Sequence, residues 1–221
     1  MNSRVAAAVE RALDPRQREA TQEVERILAA ALVVIERVAP DPPRVSDIVV
    51  EAGTSNAAFY RYFSSKDELI LAVIERGVGM VVSYLEHEIA KEPTPLAAVA
   101  RWIEGALAQV GDPHLTRMSR ASMSQLTGLK DIEITVPLRQ LLLQQIVAVG
   151  CSDPEQATDA VFATVMGTLR RHVAATSQPG PGEVEYLVSF CLKAIDPQVP
   201  VSTVARRRRA RPVRKGRRTN P

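Results

Sequence analysis

The side chains best suited to chemistry lie close together, between residues 44 and 66. Ser55 and Asn56 can each donate and accept hydrogen bonds at a base or a phosphate, and asparagine matches adenine well in the major groove of DNA. Tyr60 and Tyr62 carry hydroxyls that can bond to phosphates. Lys66 adds positive charge at the start of a predicted helix, whose dipole already attracts anions. Together these residue types indicate a surface suited to double-stranded DNA.

Two short predicted helices position these side chains. Between residues 45 and 52, apolar side chains recur at i, i+3, i+4 and i+7, which is one face of a helix, and Gly53 suits its left-handed end. Ser55 is a good N-cap for a second helix from residue 56 to about 62. Two such helices joined by a glycine turn have the geometry of a helix-turn-helix, whose second helix enters the major groove. The alternative interpretation is an ordinary helical hairpin in a core.

Longer helices are predicted on both sides of this pair. The first is predicted to begin at Asp14-Pro15, because Asp is a good N-cap and Pro fits the first helical position. Its apolar face runs to Val38, and the prolines at 40–43 end it. Ser65 and Glu68 have the spacing of a capping box that opens a fourth helix to about residue 90.

The rest of the chain also repeats at helical spacing. We predict helices over about 95–110, 114–126, 131–149, 154–177 and 183–195, although Gly128 and Pro137 disturb the stretch 127–137. No segment alternates convincingly with the period of a strand. The fold class is therefore all-α. An N-terminal three-helix helix-turn-helix domain is followed by a larger C-terminal helical domain.

The stretch from Val45 to Leu69, VSDIVVEAGTSNAAFYRYFSSKDEL, resembles the DNA-binding signature of the TetR (tetracycline-repressor-like) regulators. In that signature an apolar helix ends in Ala-Gly, and a Ser-started helix holding two aromatic pairs follows. A Ser-Lys-acid-acid-Leu segment then opens the next helix. The resemblance is detailed over about residues 20–75 and architectural beyond them.

The resemblance implies a set of residues at the operator. Tyr60 and Lys66 match usual phosphate contacts, whereas Phe59 and Phe63 match packing positions. Arg44 stands where a capping Thr or Ser is usual and could reach a phosphate instead, and Ala57 stands where Gly is frequent. Core packing is an alternative for Tyr62, and solvation is an alternative for Arg61. The predicted DNA-binding residues are Arg44, Ser46, Ser55, Asn56, Ala57, Tyr60, Arg61, Tyr62 and Lys66.

The net charge of +3 hides an uneven distribution. Residues 206–221 hold nine of the 28 Lys and Arg and no acid, so residues 1–205 have 25 acidic against 19 basic residues. The basic tail is predicted to be disordered. Non-specific DNA binding and plain solvation remain alternatives for it. The predicted organisation is a flexible arm over 1–14, the DNA-binding domain over 15–75, a helical regulatory and dimerisation domain over 76–197, and this tail over 198–221.

Other classes of protein find little support in the sequence. No apolar run approaches the length of a membrane helix, and the first residues lack the apolar core of a signal peptide. Two cysteines give no disulfide framework, and the three histidines lack metal-ligand spacing. No phosphate-binding, dinucleotide or nucleophile motif is present. We therefore expect a cytoplasmic protein that is not an enzyme and has no metal, no cofactor and no membrane partner.

The C-terminal helices are expected to sense a ligand and to dimerise. A small hydrophobic or amphipathic effector would contact large adaptable or polar side chains, for each of which plain core is the alternative. The candidate pocket residues are Tyr84, Trp102, His114, Arg117, Met118, Met123, Phe162 and Met166. The resemblance implies a homodimer formed by the last two helices. The candidate interface residues are Val161, Val165, Leu169, Val184, Leu187, Val188, Cys191 and Leu192.

These expectations combine into a regulator, most simply a repressor that binds a near-palindromic operator as a homodimer and leaves it when an effector binds. Two alternatives remain. One is a non-specific architectural DNA binder that relies on the basic tail. The other is a ligand-binding helical protein without an operator.

Overall fold

The computed structural model describes residues 4–38, 41–109 and 129–196. Every regular element in these ranges is an α-helix, as the periodicity predicted. In chain order they are α1 (Arg4–Val38), α2 (Val45–Glu51), α3 (Asn56–Tyr62), α4 (Lys66–Ile89), α5 (Pro95–Ala108), α6 (Leu129–Val149), α7 (Pro154–Ala175) and α8 (Pro181–Ile195). The helix predicted over 114–126 lies outside the described residues.

The beginning of the first helix was predicted wrongly. The structure starts α1 at Arg4 and carries it through Pro15, so Asp14-Pro15 is not its N-terminus. Residues 5–13 are mostly Ala, Val, Glu, Arg and Leu, several of them strong helix formers. Pro15 removes one backbone hydrogen bond to the preceding turn, and the helix continues past that break. Residues 4–14 of the predicted arm are thus helical.

The later boundaries follow the predictions more closely. Helix α6 begins at Leu129 and contains Pro137, so the ambiguous stretch is helical within the described residues. Helix α7 is capped by Asp153, whose side chain accepts from the Gln156 amide, and it ends in Thr176 with a φ of 51°. Thr94 caps α5 in the same way, by accepting from the Ala97 amide.

The chain divides into two compact units. Among the described residues, 4–80 and 129–136 form the first unit, and 81–109 and 137–196 form the second. The division therefore falls inside α4 and α6. The predicted boundary at residues 75 and 76 also lies within α4, and it stays a prediction.

The core of the first unit joins α1 to the two short helices and to the start of α4. Ile27, Val34, Ile48, Phe59 and Leu69 are fully buried in one cluster. The predicted apolar faces of α1 and α2 supply much of it. Because α2 and α3 bury side chains on the same cluster, their outer faces are held in a fixed orientation within this unit.

Helices α5, α7 and α8 pack together in the second unit. Helix α5 is nearly surrounded, and its Trp102, Ile103 and Leu107 are fully buried. Gly105 permits a close approach, because a Cβ atom there would lie 2.5 Å from Leu85 Cδ2. No helix in the described ranges is long and apolar enough to cross a membrane.

Candidate nucleic-acid interface

The turn between α2 and α3 is held by backbone hydrogen bonds and by one side-chain cap. Gly53 has a φ of +60°, which residues with a Cβ adopt at a penalty. The Thr54 amide donates to the Val49 carbonyl at 3.0 Å and the Gly53 amide donates to the Val50 carbonyl at 3.2 Å. This double pattern is a Schellman motif, which ends α2 as the sequence predicted.

Ser55 begins α3 as predicted. Its hydroxyl oxygen accepts from the Ala58 amide at 3.1 Å, so one otherwise unpaired donor of the first turn is satisfied. Arg44, by contrast, stands at the N-cap of α2 and gives it no side-chain hydrogen bond. The loss of the usual cap at that position, expected from the sequence, is present in the structure.

Helix α3 separates a packing face from an exposed face. Ala58 and Phe59 are buried, whereas Asn56, Ala57 and Tyr60 are exposed. The Tyr60 ring meets Phe59 edge to face at a centroid distance of 5.1 Å and remains 58% exposed. A rigid helix therefore presents a small side chain flanked by polar ones, which allows close approach to base edges.

The remaining predicted DNA-binding residues differ in their exposure. Arg44, Ser46 and Ser55 are exposed, and Lys66 is half-buried at the first residue of α4. The Ser46 hydroxyl donates to the Asp47 carboxylate at 3.3 Å. These four residues stay predicted DNA contacts.

The capping box at the start of α4 differs in one bond from the prediction. The Ser65 hydroxyl oxygen accepts from the Glu68 amide at 3.1 Å, as expected. The Glu68 carboxylate reaches past Ser65 and accepts from the Ser64 amide at 2.6 Å. Hydrogen bonds from the Ser64 hydroxyl and amide lower the pKa of Glu68.

Sequence reasoning missed an acid on α1 that contacts α3. Oε2 of Glu23 accepts from the Tyr62 hydroxyl at 2.8 Å and from Arg61 Nη2 at 2.9 Å. Oε1 accepts from the Thr54 hydroxyl at 3.2 Å. We call Glu23, Thr54, Arg61 and Tyr62 the Glu23 cluster. A signal was available, because Glu23 precedes buried Ile27 by four residues and so lies on the inner face of α1.

The pKa values of two side chains shift in opposite directions within the Glu23 cluster. The hydrogen bond from Tyr62 is the main reason that the pKa of Glu23 is lowered. The same bond to a carboxylate raises the pKa of Tyr62. The Arg61 guanidinium also lies 5.0 Å from the centre of the Tyr62 ring, a cation–π distance. Tyr62 is therefore a half-buried donor to Glu23 in the free protein.

The structure brings together two of the candidate effector-pocket residues. The rings of Trp102 and Phe162 lie 6.0 Å apart, and the buried Trp102 Nε1 has no hydrogen-bond partner among the described residues. Tyr84 is 41% exposed and Met166 is half-buried. The four other candidates, His114, Arg117, Met118 and Met123, lie outside the described residues.

A groove elsewhere in the second unit was not predicted. It has a volume of about 440 Å³ and is lined by the end of α4, the turn to α5 and one face of α6. Glu86, Leu141 and Gln144 are among its lining residues, and it includes none of the four candidate pocket residues that the structure describes. The candidate pocket and this groove are therefore different places in the unit.

Most of the candidate interface residues lie in the core of their own chain. Six of the eight are buried, because α7 and α8 turn these side chains toward each other and toward α5. They are Val161, Val165, Leu187, Val188, Cys191 and Leu192. Their place in a partner surface stays a prediction. The exposed side of α8 instead carries Tyr186 and Phe190, 69% and 52% exposed, with stacked rings 6.4 Å apart.

Residues 27–73 match the family model of bacterial regulatory proteins of the tetR family. The helix-turn-helix region of this chain therefore has the sequence pattern of tetR-family proteins. An uncharacterized HTH-type transcriptional regulator of Bacillus subtilis, YvdT, is 51% identical over 51 residues, which are 23% of this chain and 26% of YvdT. The fatty acid metabolism regulator protein of the same organism is 22% identical over 118 residues, which are 53% of this chain and 59% of that protein.

Solved structures share the fold at low identity. The B. subtilis regulator FadR in complex with stearoyl-CoA has a TM-score of 0.62 and 20% identity, over 80% of this chain and 99% of FadR. RolR in complex with resorcinol has a TM-score of 0.63 and 15% identity, over 90% of this chain and 98% of RolR. The predicted all-α architecture, a helix-turn-helix domain followed by a helical domain, is confirmed.

Proposed function

We propose that this tetR-family protein is a transcriptional repressor that reads its operator through α3 and is released by a small-molecule effector. The main support is the exposed face of α3. Asn56, Ala57 and Tyr60 project from a helix whose other face is buried and whose first turn is capped by Ser55. Residue types that read bases are thus fixed on a rigid support, which base-specific recognition requires. The related proteins named above are regulators, and this role involves no catalysis.

The proposed assembly is a homodimer that acts in the cytoplasm on double-stranded DNA. Two copies would present two α3 helices to half-sites about 34–36 Å apart, so the operator would be a near-palindrome. The stacked Tyr186 and Phe190 support a partner surface on α8, because exposed aromatic pairs are enriched at interfaces. Sedimentation of the intact protein and of Phe190→Asp tests this, since a charge at the centre of an interface should yield monomers.

The proposed effector is a small hydrophobic or amphipathic molecule with at least one hydrogen-bond acceptor. Support comes from Trp102, whose buried Nε1 is an unpaired donor beside the half-buried Phe162. FadR is described with stearoyl-CoA and RolR with resorcinol, so both compounds are reasonable first probes. Trp102 is the sole tryptophan, and its fluorescence reports binding directly. A true effector must also release the protein from DNA.

The experiment that tests the DNA-binding role compares the chain's own upstream DNA with random DNA of equal length. Four proteins are measured: intact, truncated after Ala205, Asn56→Ala and Tyr60→Phe. A preference of several hundred-fold for upstream DNA, kept without the tail and reduced by Asn56→Ala, is the expected result. Tyr60→Phe should weaken both complexes to a similar degree, because a phosphate contact carries no sequence information.

Two other functions remain as outcomes of the same experiment. The basic tail, with nine Lys and Arg and no acid, favours an architectural DNA binder as the second candidate. Equal binding to both DNAs that is lost on truncation would establish that function. A ligand-binding protein without an operator would bind neither DNA above the level of an unrelated control protein.

A further inference from the structure

Glu23 occupies an unusual position for an acid in a DNA-binding domain. Its side chain is only 21% exposed, and its partner Arg61 is 60% exposed on the last turn of α3. Thr54 lies just before α3, and Tyr62 is the last residue of that helix. The Glu23 carboxylate on α1 therefore accepts hydrogen bonds at both ends of α3. Phosphates and Glu23 would compete for the same cation and the same hydroxyl donor.

The geometry points to Glu23 as a positioning residue that holds α3 and withholds Arg61 from DNA phosphates. This inference rests on the proposed function, because it concerns how α3 meets DNA. While Arg61 is paired with Glu23, its charge is cancelled and it contributes little to sequence-independent attraction. While the Tyr62 hydroxyl donates to Glu23, it has no proton left to donate to a phosphate.

The consequence is a lower affinity for DNA of any sequence. Non-specific binding depends on how many phosphates are neutralised, and each one changes the slope of log K against log salt by about 0.9. Freeing Arg61 would therefore raise the affinity for random DNA by about fivefold per bound subunit at 0.15 M salt, relative to 1 M. Loss of the Glu23 contacts would also hold α3 less rigidly, and so reduce the preference for upstream over random DNA.

The test uses the full chain and the charge-neutralising variant Glu23→Gln. Glutamine keeps an oxygen that can accept from Thr54 and Tyr62, so we expect the variant to fold. The matched control is Glu25→Gln, because Glu25 lies two residues away on α1 and pairs with Arg76 at 2.5 Å instead of with α3. Both variants raise the net charge by one. Association constants for random and upstream duplexes are measured across a series of salt concentrations.

The expected result is a salt slope steeper by about 0.9 per subunit in Glu23→Gln and a smaller change in Glu25→Gln. The effect must disappear in an Arg61→Gln background, because Glu23 is inferred to act through Arg61. Tyr62→Phe, which removes a hydroxyl and no charge, should leave the slope unchanged and reduce the preference for upstream DNA.

Three outcomes would overturn the inference. The first is an equal salt slope in Glu23→Gln and Glu25→Gln. The second is a change of the salt slope by Glu23→Gln that persists in the Arg61→Gln background. The third is that Glu23→Gln binds no duplex. Failure of the proposed function has a different signature, which is equal affinity of the intact protein for upstream and random DNA. If Glu23→Gln still steepened the salt slope in that case, the inference about Glu23 would stand without the operator. Circular dichroism of each variant checks that the helices are intact.

Discussion

Ser55 caps α3 and is predicted to contact DNA, and one set of substitutions can separate the two roles. Its hydroxyl oxygen accepts from the Ala58 amide at 3.1 Å, and the residue is exposed beside Asn56. Replacing a capping Ser by Ala costs about 0.5–2 kcal/mol, whereas Asp and Asn cap as well as Ser. We therefore expect Ser55→Ala to lower the free energy of unfolding by about 1 kcal/mol. Ser55→Asp and Ser55→Asn should stay within about 0.5 kcal/mol of the natural chain.

The same three variants should rank differently in DNA binding. If Ser55 contacts DNA as predicted, an aspartate at this position places a negative charge close to the DNA backbone. At about 4 Å from a phosphate, the repulsion is about 1 kcal/mol in water and about 4 kcal/mol at an effective dielectric constant of 20. Ser55→Asp should therefore weaken binding by about fivefold to several hundred-fold per subunit, while Ser55→Asn changes it far less.

The assay combines chemical denaturation with fluorescence anisotropy on a labelled upstream duplex. We expect that the least stable variant, Ser55→Ala, is not the weakest binder. If Ser55→Asp were as unstable as Ser55→Ala, the capping role would be refuted. If Ser55→Asp bound DNA like the natural chain, Ser55 would not face the DNA.

Further predictions concern stability and reactivity. Gly79→Ala should stabilise the protein by up to about 1 kcal/mol, because the site lies inside α4 with nothing within 4 Å of a new Cβ. Gly53→Ala should destabilise the protein by about 1–2 kcal/mol, because residue 53 has a φ of +60°. Thermal unfolding of both variants measures the contrast. The pKa of Glu183 is lowered from 4.5 in the folded state, first by its hydrogen bond from His172, so its contribution to stability is present above pH 4.5 and is lost as the pH falls through the folded pKa. Glu183→Gln should therefore lower the midpoint of urea unfolding at pH 7 and approach the natural chain at pH 3. Burial raises the pKa of the Cys191 thiol to about 11, so at pH 8 it should react with Ellman's reagent only as fast as the protein unfolds.

Local sequence signals predicted the helix-turn-helix region in detail. Gly53, Ser55 and Ser65 each act through hydrogen bonds within a few residues, so their roles follow from the neighbouring residues in the sequence alone. The apolar faces of α1 and α2 were visible for the same reason. The beginning of α1 was not, because Pro15 matches a helix start, whereas the structure carries α1 through this proline from Arg4.

Contacts between distant residues were beyond such signals. Glu23 meets Arg61 and Tyr62 across 38 and 39 positions of sequence, and no local pattern pairs them. For a related reason, the sequence did not show that Val188 and Cys191 are buried within their own chain. Helical spacing shows that they share an apolar face, but it does not show whether that face meets the same chain or a second copy.

The separation of faces on α3 bears on how such a protein changes over generations. Phe59 and Ala58 are buried and maintain the fold, whereas Asn56 and Ala57 are exposed and lie outside the buried cluster. Substitutions at exposed positions away from caps and networks usually alter stability by less than about 0.5 kcal/mol. A lineage could therefore exchange the residues predicted to meet DNA one at a time, without passing through unfolded intermediates. Duplicated copies of the gene could in this way acquire new target sites while keeping the same scaffold.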